Sequence, residues 1–188
     1  NFKWSPNAII QSRTKNVFKF NYVSNVFIEK ELLMLKSKKS AVIDDLPPRL
    51  LKDTAKVISK PLCVLVNLSL KTGIVPSEWK LAKISPLHKK GDVTSANNYR
   101  PIAIIPIHSK VLERAVHNQL TSYLEENKLL SSRQFGFRKR HSTELATALL
   151  IDDMRKDVDC GKLVGAVFID LSKAFDVLGH SLLLDKLR

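Results

Sequence analysis

Asp170 stands at the end of an apolar run, Val164, Ala166, Val167 and Phe168, and a second carboxylate, Asp176, follows six residues later. A short apolar run of this kind is the pattern of a buried strand. An acid delivered at the end of such a strand is where α/β enzymes commonly hold a metal ion or an acid–base group. The plainer alternative is a strand that leads into a helix N-cap, since Asp and Ser both cap well. For an isolated strand and acid the two readings are about equal.

The elements that would position Asp170 can be read backwards along the chain. His180 to Leu187 begins a last helix, Cys160-Gly161 is a turn, and Thr143 to about Val158 is a helix. A loop from Asn127 to Ser142 precedes it. Ser109 is expected to cap a long amphipathic helix with Leu112, Val116, Leu120, Tyr123 and Leu124 inward. Leu81 to Leu87 and Ile102 to Ile105 read as two strands joined by a loop rich in Lys, Gly, Asp, Ser and Asn. Further back, Ser24 caps a helix whose face is Ile28, Leu32 and Leu35. Pro47-Pro48 opens a second, carrying Leu50, Leu51, Ala55 and Ile58. Pro61 is expected at the first turn of a third, which Gly73 closes. Residues 1–23 mix aromatic and basic side chains without a clear period.

At 188 residues and 44% hydrophobic content, the chain can bury a core. Its net charge is +13, and the excess is concentrated. Between Lys71 and Arg140 there are 13 lysines and arginines against 5 acids, a net of +8. That favours polyanion partners, through counterion release from phosphates. An anionic membrane surface, or solubility alone, would also account for it. Cys63 and Cys160 are too few for a disulfide framework or a zinc site, which fits a reducing compartment. Cys63, in an apolar run, reads as a small core residue. No secretory signal opens the sequence and no apolar stretch reaches spanning length, so an intracellular location and no membrane partner are expected. The first residue is Asn1 and the sequence stops in mid-pattern at Arg188, as a fragment would.

Five segments in order resemble the reverse transcriptases of non-LTR retrotransposons, the LINE-like and jockey-like elements. They are Gly73-Ile74-Val75-Pro76-Ser77-Glu78-Trp79-Lys80, Pro86-Leu87-His88-Lys89-Lys90-Gly91-Asp92, Asn98-Tyr99-Arg100-Pro101-Ile102, Gln134-Phe135-Gly136-Phe137-Arg138 with His141-Ser142-Thr143, and Phe168 to Asp176. Any one alone is weak; together, in this order and spacing, they are specific. The resemblance runs from about Lys30 to Arg188. It implies an α+β fold, the fingers and first part of the palm of a right-hand polymerase, over residues 24–188. The implied partners are an RNA template, a DNA primer and deoxynucleoside triphosphates; oligomeric state is not readable.

The resemblance also implies roles. Asp170 would be the first metal carboxylate, bridging two Mg²⁺ ions, with the backbone carbonyl of Leu171 assisting; hard Mg²⁺ prefers such oxygen ligands. The partner acids would come in a later Tyr-x-Asp-Asp hairpin, which the sequence does not reach, so this chain alone is expected to be inactive. Asp176 reads as a cap. Phe175 would lie under the incoming sugar and exclude a 2′-hydroxyl, or be a core aromatic. Arg100 would pack on the incoming base and pair its α-phosphate, a task suited to a planar guanidinium. Lys89 or Lys90, with Lys90 preferred, would reach the γ-phosphate. Gln134, Phe135, Gly136, Phe137 and Arg138 suit a loop near the nucleotide and templating strand, and Lys139 and Arg140 suit its phosphates. His141 and His180 need no catalytic role. Where many relatives carry Thr-Gly-Leu-Asp-Gly-Ile, this chain has Val42-Ile43-Asp44-Asp45-Leu46; where they carry Thr-Val-Asp-His, it has Val177-Leu178-Gly179-His180. Both departures suit a drifting copy. The rival expectation is a non-catalytic, basic nucleic-acid-binding relic of such an element.

Overall fold

The computed structural model describes residues 14–36, 46–171 and 178–187, in two compact units. The first is Asn16–Asn127. It contains helices α1 (Asn25–Leu33), α2 (Pro48–Asp53), α3 (Ala55–Thr72) and α4 (Ile107–Glu126), and a hairpin of strands β1 (Lys83–His88) and β2 (Tyr99–Ile104). Beyond Asn127 lie helices α5 (Thr143–Asp159) and α6 (His180–Leu187). The chain is therefore helix-rich with a small two-stranded sheet.

α1 starts where the sequence says it should. The Ser24 side chain accepts from Phe27 N–H, satisfying one of the free amides of the first turn. Its buried residues are Ile28 and Leu32, with Leu35 packed beside them. They meet Ala55 and Val66 of α3 and Ile107, Val111, Leu112 and Ala115 of α4. Trp79, in the 3₁₀ turn Ser77–Lys80, seals one side, its ring 4.9 Å from that of His108. Ser59, Ser69 and Ser109 are buried among these helices, small enough to let them approach closely.

Two helix starts differ from expectation. Thr54 breaks the second predicted helix: its backbone leaves the helical region (φ −97°, ψ 7°) while its hydroxyl donates to Leu50 O, so α2 ends at Asp53 and α3 begins at Ala55. Pro61 is consequently inside α3, where it lacks one i→i−4 donor, rather than at its first turn. Likewise α4 starts at Ile107 after Pro106, so Ser109 is a buried residue of its first turn and not its cap. Proline's fixed φ can set a helix entry without a capping hydroxyl. Gly73 closes α3 in the left-handed conformation, φ 71°.

Residues 16–23 form a strap over α3 and α4, held by a repeated device. Gln119 accepts from Asn21 N–H (2.7 Å) and donates to Asn21 O (2.9 Å). Asn67 accepts from Val23 N–H (2.8 Å) and donates to Val23 O (3.0 Å). Each carboxamide thus offers the strap the donor–acceptor pair that a neighbouring β-strand would. The Cys63 thiol donates to Val23 O as well (3.4 Å), so Cys63 is a half-buried tether more than a core filler.

The apolar run 164–168, expected as a buried strand, is a correction. It has no strand structure, and Val167 (87% exposed), Phe168 (85%) and Ile169 (83%) are open to solvent. A strand exists only against a ladder partner, and among the described residues the one sheet is β1 with β2.

Candidate nucleic-acid and nucleotide interface

The hairpin is the best-formed part of the predicted site. β1 and β2 pair antiparallel, with Leu87 opposite Arg100 and His88 opposite Tyr99. Side chains alternate between faces, so Arg100 shares a face with Leu87, Ser85 and Ile102. Lys89 N–H donates to Asn98 O (2.8 Å) and extends the register by one pair. Lys89 therefore continues the Leu87–Arg100 side, while Lys90 opens the bend beyond it. All three cations are exposed. Asp92 accepts from Thr94 N–H (2.9 Å), and this bond, followed by the Thr94 hydroxyl, holds its carboxyl below its ordinary pKa.

In the second unit, the loop before α5 presents the aromatic–basic segment. Arg138 donates to Ser131 O (2.8 Å), and Arg133 pairs with Asp153 of α5. The rings of Phe135 and His141 are 5.6 Å apart, and His141 Nδ1 contacts Lys139 O at 2.9 Å. Ser142 then caps α5 by accepting from Leu145 N–H (3.2 Å). Gln134 and Gly136 lie in the same loop, joined by a long contact of 3.4 Å. Phe137 and Arg140 both have positive φ, 60° and 62°, and the Phe137 side is 93% exposed. Lys139 and Arg140 are exposed too.

Asp170 and Leu171 are exposed, in irregular backbone. Phe175 and Asp176 lie outside the described residues. Among the described residues, no group of three or more His, Cys, Asp or Glu side chains could hold a metal ion. Asp170 is the right kind of donor for a hard cation, but one exposed carboxylate does not make a metal site. The sequence placed Asn98 at the head of a motif without a role of its own; its backbone and side chain both close the hairpin tip. The signal available was an Asn directly before β2 and a Gly-Asp pair three residues past the end of β1, both turn formers.

No helix among the described residues is long and apolar enough to cross a membrane. Residues 87–188 match a family model described as reverse transcriptase (RNA-dependent DNA polymerase). The chain is 33% identical over 162 residues to "Probable RNA-directed DNA polymerase from transposon BS" of Drosophila melanogaster, covering 86% of this chain and 18% of that protein. It is 30% identical over 157 residues to the RNA-directed DNA polymerase from mobile element jockey of the same species, covering 83% and 17%. With the Pol polyprotein from type-1 retrotransposable element R2 of Popillia japonica it shares 31% over 116 residues, 62% and 16%. It thus spans less than a fifth of the length of these relatives. The matched stretch begins inside β1 and takes in the hairpin tip, β2, the aromatic–basic loop and Asp170, which places this chain in the reverse transcriptase family of non-LTR retrotransposons.

Proposed function

We propose that this chain supplies the fingers and the start of the palm of an enzyme that extends a DNA 3′ end on an RNA template. The observation that carries the reading is the hairpin, whose register sets Arg100 and Lys89 on one side of a braced tip, beside Lys90. A planar guanidinium can stack on a base while donating to a phosphate, and an adjacent ammonium can follow the polyphosphate outward. In the second unit, the loop from Gln134 to Arg140 combines an exposed ring with cations, a combination that suits an unpaired template strand. Phe175 is assigned to sugar selection and Asp170, with Leu171 O, to metal binding.

Reverse transcriptases generally use divalent metal ions, and Mg²⁺ is the one proposed here. When bound, the ions would stabilise the attacking and leaving oxygens of nucleotidyl transfer. What this chain's own residues do is bind and orient: Arg100 and the two lysines the triphosphate, and the Gln134–Arg140 loop the template. We propose cytoplasm and nucleus as the location of the parent protein, where its proposed RNA and DNA partners are found.

The test is a chimera in which residues 30–188 replace the matching segment of the jockey polymerase. RNA-templated primer extension is expected, and Asp170→Ala should abolish it. Phe175→Val should lower discrimination against ribonucleotides by roughly ten- to a few-hundredfold, since excluding a small group is worth about 1–3 kcal/mol. A folded chimera that binds RNA and extends nothing would favour the non-catalytic binding module instead.

A further inference from the structure

The ten residues from Lys89 to Asn98 carry two adjacent lysines that repel each other, yet the loop is closed by specific bonds. Asn98 makes three of them. Its carbonyl accepts from Lys89 N–H (2.8 Å), its own N–H donates to Ser95 O (3.0 Å), and Nδ2 donates to Asp92 O (2.8 Å). Gly91 is matched to that carboxamide twice over. Its φ is +86°, and a Cβ there would stand 2.7 Å from Asn98 Nδ2, with the other carboxamide atoms at 3.1 and 3.3 Å. Around this pair, the Tyr99 hydroxyl donates to Val93 O (2.8 Å), and His88 Nε2 contacts Gly91 O at 3.1 Å. Among the described residues, neither Lys89 nor Lys90 has an acid partner within 4.0 Å.

The geometry points to Asn98, seated in the space left by Gly91, as a positioning residue that fixes Lys89 and Lys90 for a polyphosphate chain. It touches no ligand itself. Its carboxamide ties Asp92 O, in the middle of the tip, to the residue that closes the tip, so the backbone carrying the two lysines need not be ordered when phosphate arrives. Ordering flexible side chains and loops at binding is otherwise a direct loss of affinity. The inference rests on the nucleotide reading of the hairpin.

The experiment measures binding of inorganic tripolyphosphate to the 188-residue chain by calorimetry, with a thermal melt of every variant. Lys89→Ala with Lys90→Ala should weaken binding and so identifies the hairpin as the site. Asn98→Ala should weaken it by about three- to tenfold, the net worth of roughly one hydrogen bond. Added to the lysine pair, it should cost less than about twofold more, because it acts through them. Gly91→Ala, which evicts the carboxamide with Asn98 unchanged, should reproduce the Asn98→Ala loss. Asn67→Ala, which loosens the strap elsewhere in the same unit, should lower the melt and leave affinity alone. Wild-type affinity in Asn98→Ala and Gly91→Ala, with the lysine variant weakened, overturns the positioning role and spares the nucleotide reading. Wild-type binding that is undetectable, or indifferent to the lysines, overturns both. An Asn67→Ala loss equal to that of Asn98→Ala would show a general stability effect and overturn the positioning role.

Discussion

Phe137 and Arg140 occupy a backbone region that bulky residues rarely take, and they flank Arg138 and Lys139 in the aromatic–basic loop. Such conformations cost of order 1 kcal/mol or more and persist where surrounding structure or function requires them. Phe137→Gly removes both the strain and the ring. Stability should hold or rise by up to about 1 kcal/mol, while affinity for a short single-stranded RNA falls roughly five- to a hundredfold, the worth of one lost stacking partner. A urea melt paired with a fluorescence titration reads both; unchanged RNA affinity would remove Phe137 from the interface. At this scale the sequence was informative about which residues carry charge and aromatic surface. It was silent about how they are held, because the roles of Asn98, Asn67 and Gln119 depend on which backbone groups the fold brings within 3 Å of them.

Helices were legible where local chemistry decides them and misread where neighbours do. α1, α5 and α6 follow from Ser24, Ser142 and the apolar spacing of His180–Leu187, signals contained within a few residues. The break at Thr54 involves a hydroxyl bond only four residues back, to Leu50 O, and was open to a local reading, whereas the continuation of α3 through Pro61 goes with its packing against α1 and α4, which no local window contains. The run 164–168 fails for a related reason, since its strand propensity has nothing to pair with among the described residues. The strap shows the converse: residues with no readable period become ordered because two carboxamides supply their missing ladder. Asn67→Ala should therefore cost about 1–3 kcal/mol, as it strands the Val23 N–H and leaves the Val23 carbonyl only the weak Cys63 thiol as donor. Gln119→Ala should behave alike at Asn21 with a smaller loss, because that pair is exposed. Denaturant melts order the two variants, and equal, negligible losses would mean water replaces both side chains freely.

Across the whole molecule the dominant quantity is the net charge of +13. Weak, sequence-independent binding to RNA or an RNA–DNA duplex is expected, falling steeply with salt. Reversing Lys89, Lys90, Arg138 and Arg140 together should flatten the slope of log affinity against log salt by roughly four counterions' worth, at about 0.7–0.9 per contact. Affinity that is indifferent between about 50 and 300 mM salt, over which the Debye length falls about twofold, would count against phosphate contact. The exposed stretch Val164–Leu171 has a different consequence, felt during biosynthesis. Until a complementary strand is available, it presents an open template of β-branched and aromatic residues to every other copy on a polysome. Val167→Lys should then act as a gatekeeper, raising the soluble fraction on expression without moving the melt of the Asn16–Asn127 unit.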